Sequence, residues 1–263
     1  MILLLGGTAE TSLLALKIAE QGMKVLISTA TDIPLAIPSH QDISTRQGRL
    51  DEKGMIALIH AAGIRAIVDC THPYADLAHQ TAGRVAAGLS IPCFTLIRPS
   101  GIKNGDSVLY AANHEEAACL AFSFHRPVLL TTGSQNLAPY VRKAAETDTR
   151  LIVRVLPERD SLDACRAAGV AGENIIARRG PFSIEENRAT IREFAIGVLV
   201  AKDSGQAGGT PEKIEAARRE ACRIVVVQRP DLQRDHTFTR PEDLVRSLIA
   251  AFSPTSVCKS TPS

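Results

Sequence analysis

The chain has 263 residues, a formal net charge of +2, 45% hydrophobic and 22% charged residues, 4% aromatic residues and no Trp. That length suits one large or two small domains, and so even a charge balance argues against a nucleic-acid or membrane-surface partner. The scarcity of rings argues against a base-stacking platform, and no apolar run reaches the roughly 18–20 residues of a membrane span.

Met1 leads straight into an apolar strand with no basic region before it, so no signal peptide is read and a cytoplasmic protein is expected. Short runs rich in Ile, Val and Leu then recur at residues 2–5, 24–28, 66–70, 92–97, 128–131, 150–155, 174–177, 197–201 and 223–228. Continuous apolar runs of this length predict strands buried on both faces, hence parallel strands with helices on each side. Ala-rich helical stretches fall between them, at 11–21 and 211–221 for example. The predicted class is α/β. Residues 99–113 carry the Gly and polar residues of a linker, and the Ser-, Thr- and Pro-rich tail 253–263 is expected to be disordered.

The segment 67–99 lies over 198–230: each reads strand, polar loop, helix, strand, and ends Arg-Pro. LLLGGTAETS at 3–12 matches LLTTGSQNLA at 129–138 in the same way. An offset of roughly 130 residues is too long for a solenoid repeat. Any two βαβ units share such features; the sharper reading is an internal duplication, two Rossmann-like halves flanking a cleft. The expected halves are 1–99, binding nucleotide, and 100–252, taking substrate.

In open parallel sheets ligands bind beyond the carboxyl ends of the strands, so the loops there carry the chemistry. Gly6-Gly7-Thr8-Ala9-Glu10-Thr11 follows the first strand, where glycines permit a tight turn and a helix start offers N–H groups to a phosphate. Thr11 stands near where a full dinucleotide fingerprint has its third Gly, and a plain turn with a helix cap explains the stretch equally well. The second strand ends on Ser28 and Thr29 without an acidic residue; Asp32 comes late. Hydroxyls there tolerate a ribose 2′-phosphate. The next loop, Asp69-Cys70-Thr71-His72-Pro73-Tyr74, places a His before Pro at a strand end, suited to holding a phosphate or passing a proton, or to a structural role.

In the second half the loops are Thr131-Thr132-Gly133-Ser134, Arg178-Arg179-Gly180-Pro181 and Lys202-Asp203-Ser204-Gly205. Adjacent Lys and Asp at a buried strand's end suit acid–base work or a salt-bridged turn. Arg98, Arg154, Arg178, Arg179, Lys202 and Arg229 make the presumed ligand edge basic, which points to polyanionic ligands. His72 and His79 lack a third ligand at metal spacing, so no metal site is expected. The six cysteines form no C-x-x-C pair and are read as free thiols.

LLLGGTAE, DCTHPYA, LLTTGSQNL, RVLP, RGPFS and AKDSGQAGGTPEK, in this order and followed by a strand ending RP, resemble the precorrin-6A reductase family up to about Phe252. The resemblance implies reduction of a ring double bond of precorrin-6A or cobalt-precorrin-6A to the dihydro product of corrin biosynthesis, with NADPH or NADH as donor, NADPH in the metal-free branch and NADH expected in the cobalt branch. The wording of HPYA, TTGSQNL and GGTPEK is closer to the cobalt branch. With that ligand set the loops divide: Gly6, Gly7, Thr8, Glu10, Ser28, Thr71, His72, Pro73 and Tyr74 for the nucleotide, and Thr132, Gly133, Ser134, Arg178, Gly180, Pro181, Lys202, Asp203, Ser204 and Gly205 for the tetrapyrrole. Lys202, Asp203 and His72 are the catalytic candidates. Two other classes stay open. A short-chain-dehydrogenase-like reductase needs Tyr-x-x-x-Lys, which Tyr74, Tyr110 and Tyr140 do not form, and a two-lobed binding protein is usually exported. The sequence sets no oligomeric state; a monomer is compatible with it.

Overall fold

A computed structural model describes residues 1–30, 39–103, 107–230 and 236–252; Asp32 and the tail 253–263 lie outside them. The chain forms two compact units, Met1–Arg98 with the segment from Pro230 onward, and Pro99–Arg229.

Unit 1 contains β1 (Ile2–Leu5), α1 (Ala9–Ala19), β2 (Val25–Thr29), β3 (Ile43–Gln47), α2 (Glu52–Ala62), β4 (Ala66–Asp69), α3 (Asp76–Leu89) and β5 (Cys93–Leu96). Unit 2 runs β6 (Leu109–Ala111), α4 (His114–Phe122), β7 (Val128–Leu130), α5 (Ala138–Glu146), β8 (Leu151–Val155), α6 (Arg159–Ala167), β9 (Ile175–Ala177), α7 (Ile184–Glu193), β10 (Val198–Lys202), α8 (Thr210–Arg219) and β11 (Arg223–Val227). The chain then adds β12 (Thr237–Phe238) and α9 (Pro241–Phe252).

The two sheets have the orders β12-β5-β4-β1-β2-β3 and β6-β11-β10-β7-β8-β9. Every strand pairing among the described residues is parallel. The orders superimpose strand for strand, and Arg98 and Arg229 each stand two residues beyond equivalent strands, β5 and β11. The duplication read from the sequence is thus present as topology.

Alternation along β1 builds the unit 1 core. Ile2 and Leu4 pack with Leu14, Ile18, Leu244 and Leu248 of α1 and α9, while Leu3 and Leu5 pack with Met55, Ile59 and Val85 of α2 and α3. Burying both faces of a strand is what makes its sequence continuously apolar. In unit 2, Leu129, Ile152 and Leu199 pack with Ile191 of α7 and Ile214 of α8.

Two expectations need correction. Three strands were not anticipated, β3, β6 and β12, and all are edges. An edge strand need not be apolar on both faces; Ile43–Gln47 is mostly polar and partly exposed, and β12 is two residues long. The second half was also drawn to residue 252. Residues 236–252 belong to unit 1 instead, where Thr237 and Phe238 pair with Thr95 and Leu96 and α9 covers the sheet.

Candidate functional site

In unit 1 the strand order reverses between β1 and β4, and the loops after these strands meet there. Gly7 has φ +122°, a left-handed conformation that disfavours any side chain. A Cβ on Gly6 would lie 2.3 Å from the Thr11 methyl, whereas one on Gly7 would meet nothing within 4 Å. Gly6 therefore lets the turn close on the helix, and Gly7 leaves its outer side open for a ligand. The Thr11 hydroxyl accepts from the Gly7 and Thr8 amides at 3.2 and 3.1 Å, tightening the start of α1. The Thr8 hydroxyl donates to the Cys70 carbonyl at 3.1 Å and ties this turn to the β4 loop. Glu10, expected at the nucleotide, is ion-paired with Arg98 at 2.6 Å.

The β4 loop is held from below by a buried ion pair. Asp69 is 0% exposed. One of its oxygens lies 2.6 Å from His79 Nδ1, and the other accepts from the Thr71 hydroxyl at 2.7 Å. His79 Nε2 faces the His72 carbonyl at 3.1 Å, so each ring nitrogen lies opposite an oxygen. Burial pushes the Asp69 carboxyl up, but the hydrogen bond and charge of His79, with Thr71, outweigh it and hold Asp69 below the usual carboxylate range. The pair fixes the backbone of Thr71 and His72 over the switch point. The His72 ring remains half-buried, with Nδ1 accepting from the Tyr74 amide at 3.3 Å, which leaves Nε2 as the proton-bearing nitrogen. Pro73 is buried between them.

At the end of β2, Ser28 accepts from Arg46 Nη1 at 2.7 Å. The same guanidinium donates to the Gly48 and Gln47 carbonyls at 2.9 Å, which steadies it at the strand ends. The sequence reading missed Arg46 because it lies on the polar edge strand β3.

The corresponding reversal in unit 2 lies between β7 and β10. Gly133 repeats the positive φ of Gly7, at +91° with open space beside it. The Thr132 hydroxyl is buried without a hydrogen-bond partner among the described residues, and Ser134 is half-buried beside it. Lys202 ends β10 and is half-buried. Burial, and then the positive charge of Lys202, push His114 down to about 4, so His114 is a neutral hydrogen-bond partner of the Tyr140 hydroxyl at 2.9 Å.

Asp203 is differently placed from its neighbour Lys202. Its carboxylate accepts from the Ser100 hydroxyl at 2.7 Å, the Gly101 amide at 2.9 Å and the Gly205 amide at 3.2 Å, and lies 3.1 Å from Arg229. Such a saturated carboxylate clasps the start of unit 2 to the β10 loop, an architectural task rather than an acid–base one. Ser204 packs under Gly208, where a Cβ would come within 2.3 Å of the Ser204 Cβ.

Arg178, Gly180 and Pro181 are brought together with Gly133 around a cavity of about 300 Å³, joined by Thr131, Arg154, Phe182, Gly208 and Lys213. Thr132, Ser134, Lys202, Asp203, Ser204 and Gly205 stand outside its lining. Lys213 was not among the expected binding residues, and Arg154 was expected only as one of the cations of the basic ligand edge. Arg154 had a signal, a charged residue inside the otherwise apolar strand LIVRV.

Taken together, two parallel α/β sheets, each with a positive-φ glycine turn at its point of strand-order reversal, define a protein of the Rossmann-like α/β class. The profile of the precorrin-6x reductase CbiJ/CobK family matches residues 1–248, and the chain belongs to that family. It is therefore a nicotinamide-dependent oxidoreductase of cobalamin biosynthesis that acts on a ring C=C bond. The cobalt-precorrin-6A reductase of Priestia megaterium is 33% identical, with 95% of this chain and 98% of that protein aligned. That of Salmonella typhimurium is 30% identical over 87% of each chain. The precorrin-6A reductase of Mycobacterium tuberculosis H37Rv is 30% identical, covering 87% of this chain and 88% of that one. A solved CobK precorrin-6A reductase shares the fold, with a TM-score of 0.75 at 24% identity over 95% of this chain and 96% of that one. No helix among the described residues is long and apolar enough to cross a membrane.

Proposed function

We propose that the chain reduces cobalt-precorrin-6A with NADPH, unit 1 holding the nucleotide and unit 2 the tetrapyrrole. The observation that carries the nucleotide assignment is the open turn at Gly7, tied to the β4 loop and flanked by Arg46 at Ser28. The nucleotide fits this cradle: Gly6, Gly7 and Thr8 suit the pyrophosphate, with Thr71, His72, Pro73 and Tyr74 facing it from β4. Arg46 with Ser28 suits a 2′-phosphate, and this is the reason for preferring NADPH to NADH. The cobalt-containing substrate is preferred because the relative aligned over 98% of its length carries that name. The cysteines at 70, 93, 119, 165 and 222 are free thiols, which suits a reducing cytoplasm.

When bound, the reduced nicotinamide supplies the hydride. The remaining tasks fall to the chain. Lys202 anchors a carboxylate of the tetrapyrrole near the reacting edge, with Thr132, Gly133 and Ser134 opposite. His72, through Nε2, holds a nucleotide phosphate or relays a proton at the loop surface. Asp203 fixes the loop that presents Lys202.

Two variants test this. Arg46→Ala should raise KM for NADPH about tenfold and leave KM for NADH unchanged, the loss of one charge-assisted phosphate contact. Equal effects on both nucleotides would refute the 2′-phosphate role, and a wild-type preference for NADH would refute the choice of donor. Lys202→Ala should leave nucleotide affinity alone and lower kcat/KM by about 2–4 kcal/mol of transition-state stabilisation. Steady-state kinetics with precorrin-6A and cobalt-precorrin-6A, beside nucleotide titrations, read all of these, and near-wild-type kcat/KM would remove Lys202 from the site.

A further inference from the structure

The unit 2 cavity brings three cations together with no acidic residue among the described residues of its lining; Glu186 pairs with Arg178 from outside, and the charge of Glu212 bears on Lys213. Arg154, on β8, is 6% exposed. Its Nη1 donates to Asn187 Oδ1 at 2.9 Å, and its guanidinium lies 4.2 Å from the centre of the Phe182 ring. Asn187 is itself fixed, donating to the Phe182 and Ser183 carbonyls at 3.2 and 2.8 Å, so the guanidinium is locked in place. Its Nη2 is buried with no partner among the described residues.

Lys213, in the first turn of α8, reaches the same cavity and donates to the Gly208 carbonyl at 3.1 Å. Arg178 stands at the rim, its outer side on Glu186 at 2.9 Å. No Asp or Glu is among the described residues that line the cavity. The charges are felt: burial and then Arg154 push Lys213 down to about 8, and burial and then Arg178 push Arg154 down to about 10.

A desolvated guanidinium with an idle N–H group is costly to hold in the fold. An anion offsets the cost, and a planar carboxylate matches the guanidinium edge. The volume of about 300 Å³ is at the small end for a ligand pocket, enough for a carboxylate on a short methylene stem but not for a macrocycle. Phe182, Val155 and Leu156 supply apolar wall for such a stem.

We propose that this cavity is a socket for one carboxylate side arm of the tetrapyrrole, gripped by Arg154 Nη2 and Lys213 Nζ and closed at the rim by Arg178. The proposal rests on the assignment of the tetrapyrrole to unit 2. It makes Arg154 and Lys213 residues that determine which way round the ring is held. A phosphate has related chemistry, and the test separates the two sources.

The test uses the full chain with Lys213→Met, which keeps the side-chain length and removes the charge, and Arg154→Lys beside it. Tricarballylate, a free tricarboxylate, serves as the probe. In the wild type it should compete with the tetrapyrrole and raise the thermal midpoint. In Lys213→Met both effects should vanish, KM for the tetrapyrrole should rise about tenfold, and KM for the nucleotide should stay put. An unchanged tetrapyrrole KM with undiminished tricarballylate inhibition overturns the proposal. A raised nucleotide KM overturns it in favour of a phosphate. Should the wild type turn over no tetrapyrrole, the functional assignment fails and the socket for a substrate arm fails with it. A tricarballylate effect on the thermal midpoint that still depends on Lys213 would then mark a carboxylate site for another ligand. Lys213→Met carries the decision if Arg154→Lys does not fold.

Discussion

His79→Ala is expected to cost the folded protein about 3–5 kcal/mol, because it leaves the fully buried Asp69 carboxylate without its cation. Urea unfolding at neutral pH reads the loss. The pH dependence should also change sign. In the wild type, Asp69 titrates below its unfolded value of about 3.9. Its contribution is therefore whole above about pH 4 and is lost as the pH falls through the native value. Without His79, burial dominates and raises Asp69. The variant should then be weakest near neutrality and recover relative to wild type on mild acidification, as the buried acid takes up its proton. The double change with Asp69→Asn should cost much less than the two single changes added together. A loss under about 1 kcal/mol, with an unaltered pH profile, would show that the pair contributes little.

Gly7→Val is expected to separate binding from folding in the opposite way. The residue has φ +122°, so a β-branched side chain strains the turn by about 1–3 kcal/mol. It clashes with nothing, since a Cβ there meets no atom within 4 Å. The protein should fold with a lowered thermal midpoint. Nucleotide affinity should fall about a hundredfold, because the new side chain fills the space a pyrophosphate needs for close backbone approach. Gly6→Val makes the control: its Cβ would be driven into Thr11 at 2.3 Å, and the turn itself should fail. Undiminished affinity in a folded Gly7→Val protein would move the nucleotide away from this loop.

What could be read beforehand follows burial. The inner strands are buried on both faces, so Ile2–Leu5 and Val198–Lys202 stand out as unbroken apolar runs. Edge strands carry no such mark, and with β3 went Arg46. Lys202 and Asp203 looked like a functional pair because they adjoin in sequence. Asp203 is bound to Ser100 and Gly101, a hundred residues away, and no local pattern announces that. Of the two histidines near β4, His72 drew attention for its loop. The buried ionic role falls to His79, one helical turn into α3, where the sequence shows only an ordinary polar residue. Arg154 was legible as an oddity, a charge inside LIVRV, but its idle Nη2 and its companion Lys213 emerge only once the folded chain brings both residues to one cavity.

The two sheets differ in how the chain supplies their sixth strand. Unit 2 receives β6 and α4 first and then completes itself without interruption by β11. Unit 1 must wait for β12 and α9, which follow the whole of unit 2. During synthesis the later half is therefore the first with all its parts in hand. The earlier half keeps Leu14, Ile18 and Phe94 incompletely covered until Leu244, Val245 and Leu248 arrive. Its final closure is an encounter between segments nearly the full length of the chain apart, the kind of contact whose loop entropy slows folding. Unit 1 is therefore expected to depend more on chaperones, and to be more exposed to early proteolysis, than unit 2.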